Sequence, residues 1–212
     1  HRRVIGFMMM LPRIVRENCY AVLDLETTGV MVSRDEVIQF AVIQIDHGKP
    51  RVRATSYVRP ARSVHPSAAA KHGITWDTLM HAPELRDVVL ELETLVGDRV
   101  LLGYGIKTFD YPLLRRQLAE NGVAFDRAVV DVLSWERRLS KAAGLKGKHN
   151  LGAAVERWGV PLLQAHDALD DCRMTWNVFL SLAARFPELG EAALADILAV
   201  RAVEDLPSEV LL

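Results

Sequence analysis

Apolar and polar positions along the chain change period several times, and each change marks an element. "CYAVLDLE" (Cys19–Glu26) is apolar enough for a buried strand and turns at "TTG". "VIQFAVIQID" (Val37–Asp46) alternates as a second strand, "HGKP" reads as a hairpin turn, and Arg51–Val58 follows as a third strand. Pro66–His72 predicts a short helix, and Pro83–Val96 carries helical spacing up to Gly97. Arg99–Tyr104 is a short apolar strand, Pro112–Glu120 a helix stopped by "NG", and Arg127–Val132 a fifth strand. Helices are expected over Leu151–Trp158, Asp167–Arg185 and Pro187–Glu204. Three antiparallel strands, then two parallel strands separated by a helix, predict an α/β domain: a mixed five-stranded sheet with helices on both faces.

The 212 residues suffice for one sizeable domain. Residues 1–17 read as an N-terminal arm, 18–186 as the domain, and 187–212 as a helical extension packed on it. The net charge of −1 argues against wholesale wrapping of nucleic acid and leaves room for a local cleft. No apolar run approaches the roughly 18 residues of a membrane span. "VIGFMMML" is too short for one and lacks a following cleavage site, so no signal peptide is read. Cys19 and Cys172 fall in apolar segments and are expected as buried thiols in a reducing, cytoplasmic compartment.

The acids change this picture. Asp24 and Glu26 are two apart on a strand and so project to one face. Buried carboxylates gain a countercharge or protonate, and no Lys or Arg lies in the strand. A divalent cation would answer that cost; a solvated strand end is the plain alternative. In "LLGYGIKTFDYPLL", Asp110 has the place of a helix N-cap, yet it follows an apolar strand and turn, within reach of a neighbouring strand's end. In "AHDALDDCRMTWNVF" a helical wheel puts Asp170, Arg173, Asn177 and Ser181 on a polar stripe and Asp167 at the N-cap. Asp171 instead shares a stripe with Thr175, Val178 and Leu182, where an acid needs a reason and a metal is one. His166 lies on the loop before the helix.

Together "DLETTG", "GYGIKTFD" and "HDALDD" resemble, in order and wide spacing, the three motifs of the DEDDh family, the DnaQ-like 3′–5′ exonucleases on an RNase H-like fold. The resemblance covers Cys19 to about Arg185, includes "HPSAAAKHGIT" and "HNLGAAVERWGVP", and is strongest to the polymerase III epsilon branch. It implies that Asp24, Glu26, Asp110 and Asp171 hold two divalent cations, Mg²⁺ or Mn²⁺, against a scissile phosphodiester, and that His166 takes the proton of the attacking water. The implied product is a nucleoside 5′-monophosphate. The implied partners are single-stranded or frayed 3′ ends, of DNA before RNA, together with a polymerase or other replication or repair protein. Thr27, Thr28 and Gly29 would meet the terminal nucleotide through their backbone N–H groups, with Tyr104 or Phe109 stacking a base. One departure stands out: Gly105 or Ile106 occupies the position where the family's second motif carries an Asn. The competing readings are an exoribonuclease of the same family, a 3′-end-binding module weakened in catalysis, and a haloacid-dehalogenase-type phosphatase. "DLETT" partly mimics the phosphatase motif, but Glu26 and the lack of a matching downstream acid pair count against it.

Overall fold

A computed structural model describes residues 11–164 and 167–204. The elements in chain order are α1 (Arg13–Arg16), β1 (Cys19–Thr27), β2 (Val37–Asp46), β3 (Lys49–Tyr57), α2 (Pro66–His72), α3 (Trp76–Leu79), α4 (Leu85–Val96), β4 (Val100–Gly103), α5 (Asp110–Glu120), β5 (Val129–Asp131), α6 (Val132–Ala142), α7 (Leu151–Arg157), α8 (Ala168–Arg185) and α9 (Pro187–Glu204).

The strands form one sheet in the order β3-β2-β1-β4-β5. β1–β2 and β2–β3 are antiparallel, while β1–β4 and β4–β5 are parallel. This is the mixed sheet that the alternation predicts. The twofold period of a strand divides its side chains between two cores. Tyr20 and Val22 of β1 pack with Ala41, Ile43, Leu102 and the buried face of α8. Ala21, Leu23 and Leu25 pack on the other side with Phe40, Val42, Leu92 and Leu114, under α4 and α5. Asp24 and Glu26 continue the Tyr20–Val22 series and therefore turn toward α8.

Several segments depart from the expected pattern. The stretch read as an arm contains α1, whose Ile14 and Val15 are buried in the α8-side core. Arg13 of α1 forms an ion pair with Glu191 of α9 at 2.8 Å, and Leu189 and Ile197 of α9 join the same core. α3 is a single turn capped by Thr75. β5 stops at Asp131, and the chain turns at once into α6, which the pattern does not announce. Its buried positions are Val132, Glu136, Leu139 and Ser140, so half of its inner face is polar and the apolar period is broken. Cys172 is buried as expected, but Cys19 is only half-buried, at a strand end, with Sγ 3.8 Å from His47 Nε2. The Met run and "LPSEVLL" lie outside the described residues. No helix among the described residues is long and apolar enough to cross a membrane.

Candidate active site

Three elements bring the acids to one end of the sheet. β1 supplies Asp24 and Glu26 at its C-terminal end, just before a register shift between Glu26 and Thr27. α8 supplies Asp171 from its first turn, where Asp167 caps the helix by accepting from the N–H groups of Leu169 (3.1 Å) and Asp170 (3.0 Å). Asp170 pairs with Arg173 at 2.6 Å on the polar stripe, leaving Asp171 turned toward β1. The helical wheel likewise gave Asp167 the cap and Asp170 the polar stripe and set Asp171 on a different stripe. One carboxylate oxygen each from Asp24, Glu26 and Asp171 lies within 4.8 Å of the others.

Asp110 arrives from the opposite layer. It is the first residue of α5 and caps nothing; Phe109 holds the N-cap position without a side-chain cap bond. Asp110 is 9 % exposed, and the backbone N–H groups of Asp110 itself and of Leu25 face its carboxyl.

Burial dominates the electrostatics of the cluster. It lifts the Asp24 carboxyl well above the usual carboxylate range, reinforced by the charges of Asp110, Asp171 and Glu26. Burial also pushes Glu26, 6 % exposed, up to about 7, with Asp171 adding to the shift and Lys71 opposing it. Asp110 is likewise raised to about 7 by burial, against the two backbone N–H groups. Such a group of oxygen donors, short of positive charge, suits Mg²⁺ or Mn²⁺.

The cluster lines a cleft of about 330 Å³. Ser67, Ala68, Lys71 and His72 of α2 form one wall, and Tyr104, Gly105, Thr108 and Phe109 another. α2 is held there because its N-cap, His65, donates its backbone N–H to the Thr28 carbonyl at 2.7 Å. A wider groove, about 920 Å³, opens at the other end of β1 and β4. Three of its acids are matched by arginines: Glu17 meets Arg13 at 2.9 Å, Asp46 meets Arg99 at 3.2 Å, and Asp126 meets Arg115 at 2.7 Å. The smaller cleft therefore holds the chemistry.

The expected substrate contacts divide. Gly29 lines the cleft, and the carboxylate of Asp35 packs so close to it that a Cβ would stand 2.5 Å from Asp35 Oδ2. Thr27 lines the cleft as well, its hydroxyl donating to the Gly29 carbonyl at 2.6 Å. Thr28 does not. Its N–H donates to the Glu36 carbonyl (2.8 Å) and its hydroxyl to Asp35 (3.2 Å), so the expected backbone contact from Thr28 is already used inside the loop. Tyr104 presents part of its ring, while its hydroxyl donates to the His149 carbonyl at 3.0 Å. Phe109 lines the cleft with one side and packs against the α5-side core with the other. His166 lies outside the described residues.

Two contributors escaped the sequence reading. Lys71 is the cation on the α2 wall that bears on Asp24 and Glu26. Asp131 is buried behind the Gly105–Asp110 loop. It accepts from the N–H groups of Gly105 (3.0 Å) and Lys107 (3.2 Å) and also caps α6 through Leu133 (3.0 Å) and Ser134 (3.3 Å). The departure from the second motif has a packing basis. Gly105 sits at φ +78°, and Ile106 is fully buried in the α5-side core, a place where an amide would lose its water.

The exonuclease family model (RNase_T) matches residues 21–179. The PolC-type DNA polymerase III of Staphylococcus haemolyticus is 27 % identical over 186 residues, 87 % of this chain and 13 % of that protein. Its Staphylococcus aureus counterpart is 26 % identical over 178 residues, 84 % of this chain and 12 % of that protein. The chain thus spans a small part of the relatives it matches. Among solved structures, E. coli exonuclease I in complex with a dT13 oligonucleotide superposes with a TM-score of 0.73 at 21 % identity, over 82 % of this chain and 43 % of that one. An apo exonuclease I structure gives a TM-score of 0.72 at 20 % identity, over 82 % of this chain and 44 % of that one. The match over most of the length, the shared sheet and the converging acids agree: the chain belongs to the DnaQ-like 3′–5′ exonuclease family.

Proposed function

We propose that this chain is a metal-dependent exonuclease domain that removes nucleoside 5′-monophosphates from the 3′ end of a nucleic acid strand, with DNA as its substrate. The observation that carries the reading is the convergence of Asp24, Glu26 and Asp171 within 4.8 Å, beside Asp110, in a chain of this family. These four residues would hold two divalent cations, Mg²⁺ or Mn²⁺. When bound, the cations supply the positive charge the cluster lacks and make a water easier to deprotonate.

The chain's own residues do the rest. His166 directly precedes the α8 cap in sequence, and it takes the proton of the attacking water. An imidazole with an ordinary pKa near 6.5 suits that task at neutral pH. Gly29 lets the strand end come close to the backbone, and the Thr27 and Gly29 N–H groups contact the terminal nucleotide. Lys71 meets a phosphate oxygen from the α2 wall. Tyr104 and Phe109 offer ring surface to the terminal base, since stacking tolerates any base. The polymerase relatives and the oligonucleotide held by E. coli exonuclease I support DNA as the substrate and a replication or repair protein as the setting.

The test separates metal binding from proton transfer. Asp171→Asn is expected to lose both hydrolysis and Mn²⁺ binding measured by calorimetry. His166→Ala is expected to bind Mn²⁺ normally and lose on the order of 10²–10⁴-fold in kcat, the usual scale of general-base catalysis. Undiminished hydrolysis by either variant sinks the assignment.

A further inference from the structure

Beside the cleft the charge distribution changes abruptly. Between Val132 and Asn150 the chain carries Arg137, Arg138, Lys141, Lys146 and Lys148 against a single acid, Glu136, although its net charge is −1. All five cations are exposed. Among the described residues none of them forms an ion pair; the acid of the segment is bonded to Arg157 and His149 instead.

Glu136, in the same segment, is 0 % exposed. Its carboxylate accepts from Ser140 Oγ at 2.8 Å, is bonded to Arg157, and stands 2.5 Å from His149 Nδ1. Arg157 also donates to the Lys148 carbonyl at 2.7 Å, and the Leu145 N–H donates to the Ser140 carbonyl at 2.8 Å. Burying an ion pair rarely gains stability over apolar packing. Here it fixes the backbone of loop 143–150, whose outward side chains are left to solvent. A merely solvated cationic face needs no such anchor.

The same loop is tied to the cleft. Tyr104, on the cleft wall, donates its hydroxyl to the carbonyls of His149 (3.0 Å) and Asn150 (3.3 Å). Leu133, at the start of α6, lies against Gly105 of the same wall, so the cationic segment adjoins the cleft at both of its ends. An acidic cleft adjoined by a segment of exposed cations without ion pairs has the polarity of a strand-end site. The terminal phosphodiester goes to the acids, and the phosphates behind it go to the cations.

We infer that α6 and loop 143–150, mounted on buried Glu136, form the surface that binds the phosphates of single-stranded nucleic acid upstream of its 3′ end. The inference rests on the exonuclease reading for one point, that the 3′ end lies at the acids. Lys146→Ala/Lys148→Ala and Arg137→Ala/Lys141→Ala test it, with Arg53→Ala on the exposed β3 edge as the control. Binding of a 5′-labelled single strand of about 20 nucleotides is measured in EDTA between about 50 and 200 mM salt. Each double variant is expected to bind on the order of 10-fold more weakly. Its log–log salt dependence is expected to be shallower by about 1.4, at about 0.7 per lost phosphate contact on a single strand. Hydrolysis of the p-nitrophenyl ester of thymidine 5′-monophosphate, which reaches only the cleft, is expected to stay at the wild-type rate. Affinity and slope equal to wild type in both double variants overturn the inference, as does a wild-type protein that binds no strand. Failure of the exonuclease reading looks different: wild-type protein with Mn²⁺ leaves both ester and strand intact, while the binding measurement in EDTA still decides the surface.

Discussion

Asp24 and Glu26 are held side by side by the strand that carries them, since their neighbours Leu23 and Leu25 are locked into the α5-side core. That packing outweighs the repulsion and leaves the acids to respond by protonation. Burial lifts Glu26 and Asp110 to about 7 each, and it raises Asp24 well above the usual carboxylate range, reinforced by its acidic neighbours. A carboxyl whose folded pKa is raised contributes stability that is complete below its unfolded value and is lost as pH climbs through the folded value. The metal-free protein is therefore expected to melt higher at pH 6 than at pH 8. The difference should be several degrees, at about 2–4 °C for each kcal/mol in a chain of this size. Mn²⁺ at pH 8 should restore most of it, and Asp24→Asn should flatten the profile in EDTA. A melting temperature in EDTA that falls from pH 8 to pH 6 contradicts this. At this scale the sequence was legible where a face was defined. Asp171 stood out from Asp170 because a helix sorts its stripes, and the pairing of Asp170 with Arg173 follows that sorting. The occupancy of the Thr28 N–H was not legible, since its acceptor, the Glu36 carbonyl, belongs to the start of the next strand's approach. Nor was Lys71: α2 has no buried residue, so its pattern names no inner face from which to infer the wall it forms.

α6 is the element that pattern reading missed, and it governs the second motif. Its cap, Asp131, is shared between two jobs, capping its own helix and gripping the loop that leads into Asp110. The strand-like "VVDV" hid the boundary, and the buried Glu136 and Ser140 removed the apolar repeat that would have announced the helix. By contrast β1, β2 and α8 were legible because each is long and consistently patterned. Asp131→Ala strips acceptors from four N–H groups. It is expected to cost on the order of 2–4 kcal/mol of stability, combining a lost cap with lost bonds to a carboxylate. Because the loop then no longer sets Asp110, Mn²⁺ affinity should fall as well. Asp131→Asn, which keeps one acceptor oxygen, should recover part of both. Chemical denaturation and calorimetry read the two effects, and an alanine variant with wild-type stability and Mn²⁺ affinity would remove Asp131 from this role.

For the molecule as a whole, the mixed sheet was legible because three antiparallel strands precede two that need a helical crossover. The contribution of α1 was not, because its burial depends on α9 at the far end of the chain, through Arg13–Glu191 and Ile14 against Gly190. What the assembled molecule achieves is one acidic cleft, built from a strand end, a helix start in each layer and a wall from α2. The central claim is that this cleft cuts nucleotides from a 3′ end with the help of a divalent cation. The most direct measurement follows 5′-labelled single-stranded DNA and RNA of one sequence with Mg²⁺, Mn²⁺ or EDTA, beside Asp24→Ala. The expected result is a metal-dependent ladder shortening from the 3′ end, faster on DNA and absent in the variant. An intact strand under every metal, or a ladder that persists in Asp24→Ala, contradicts it.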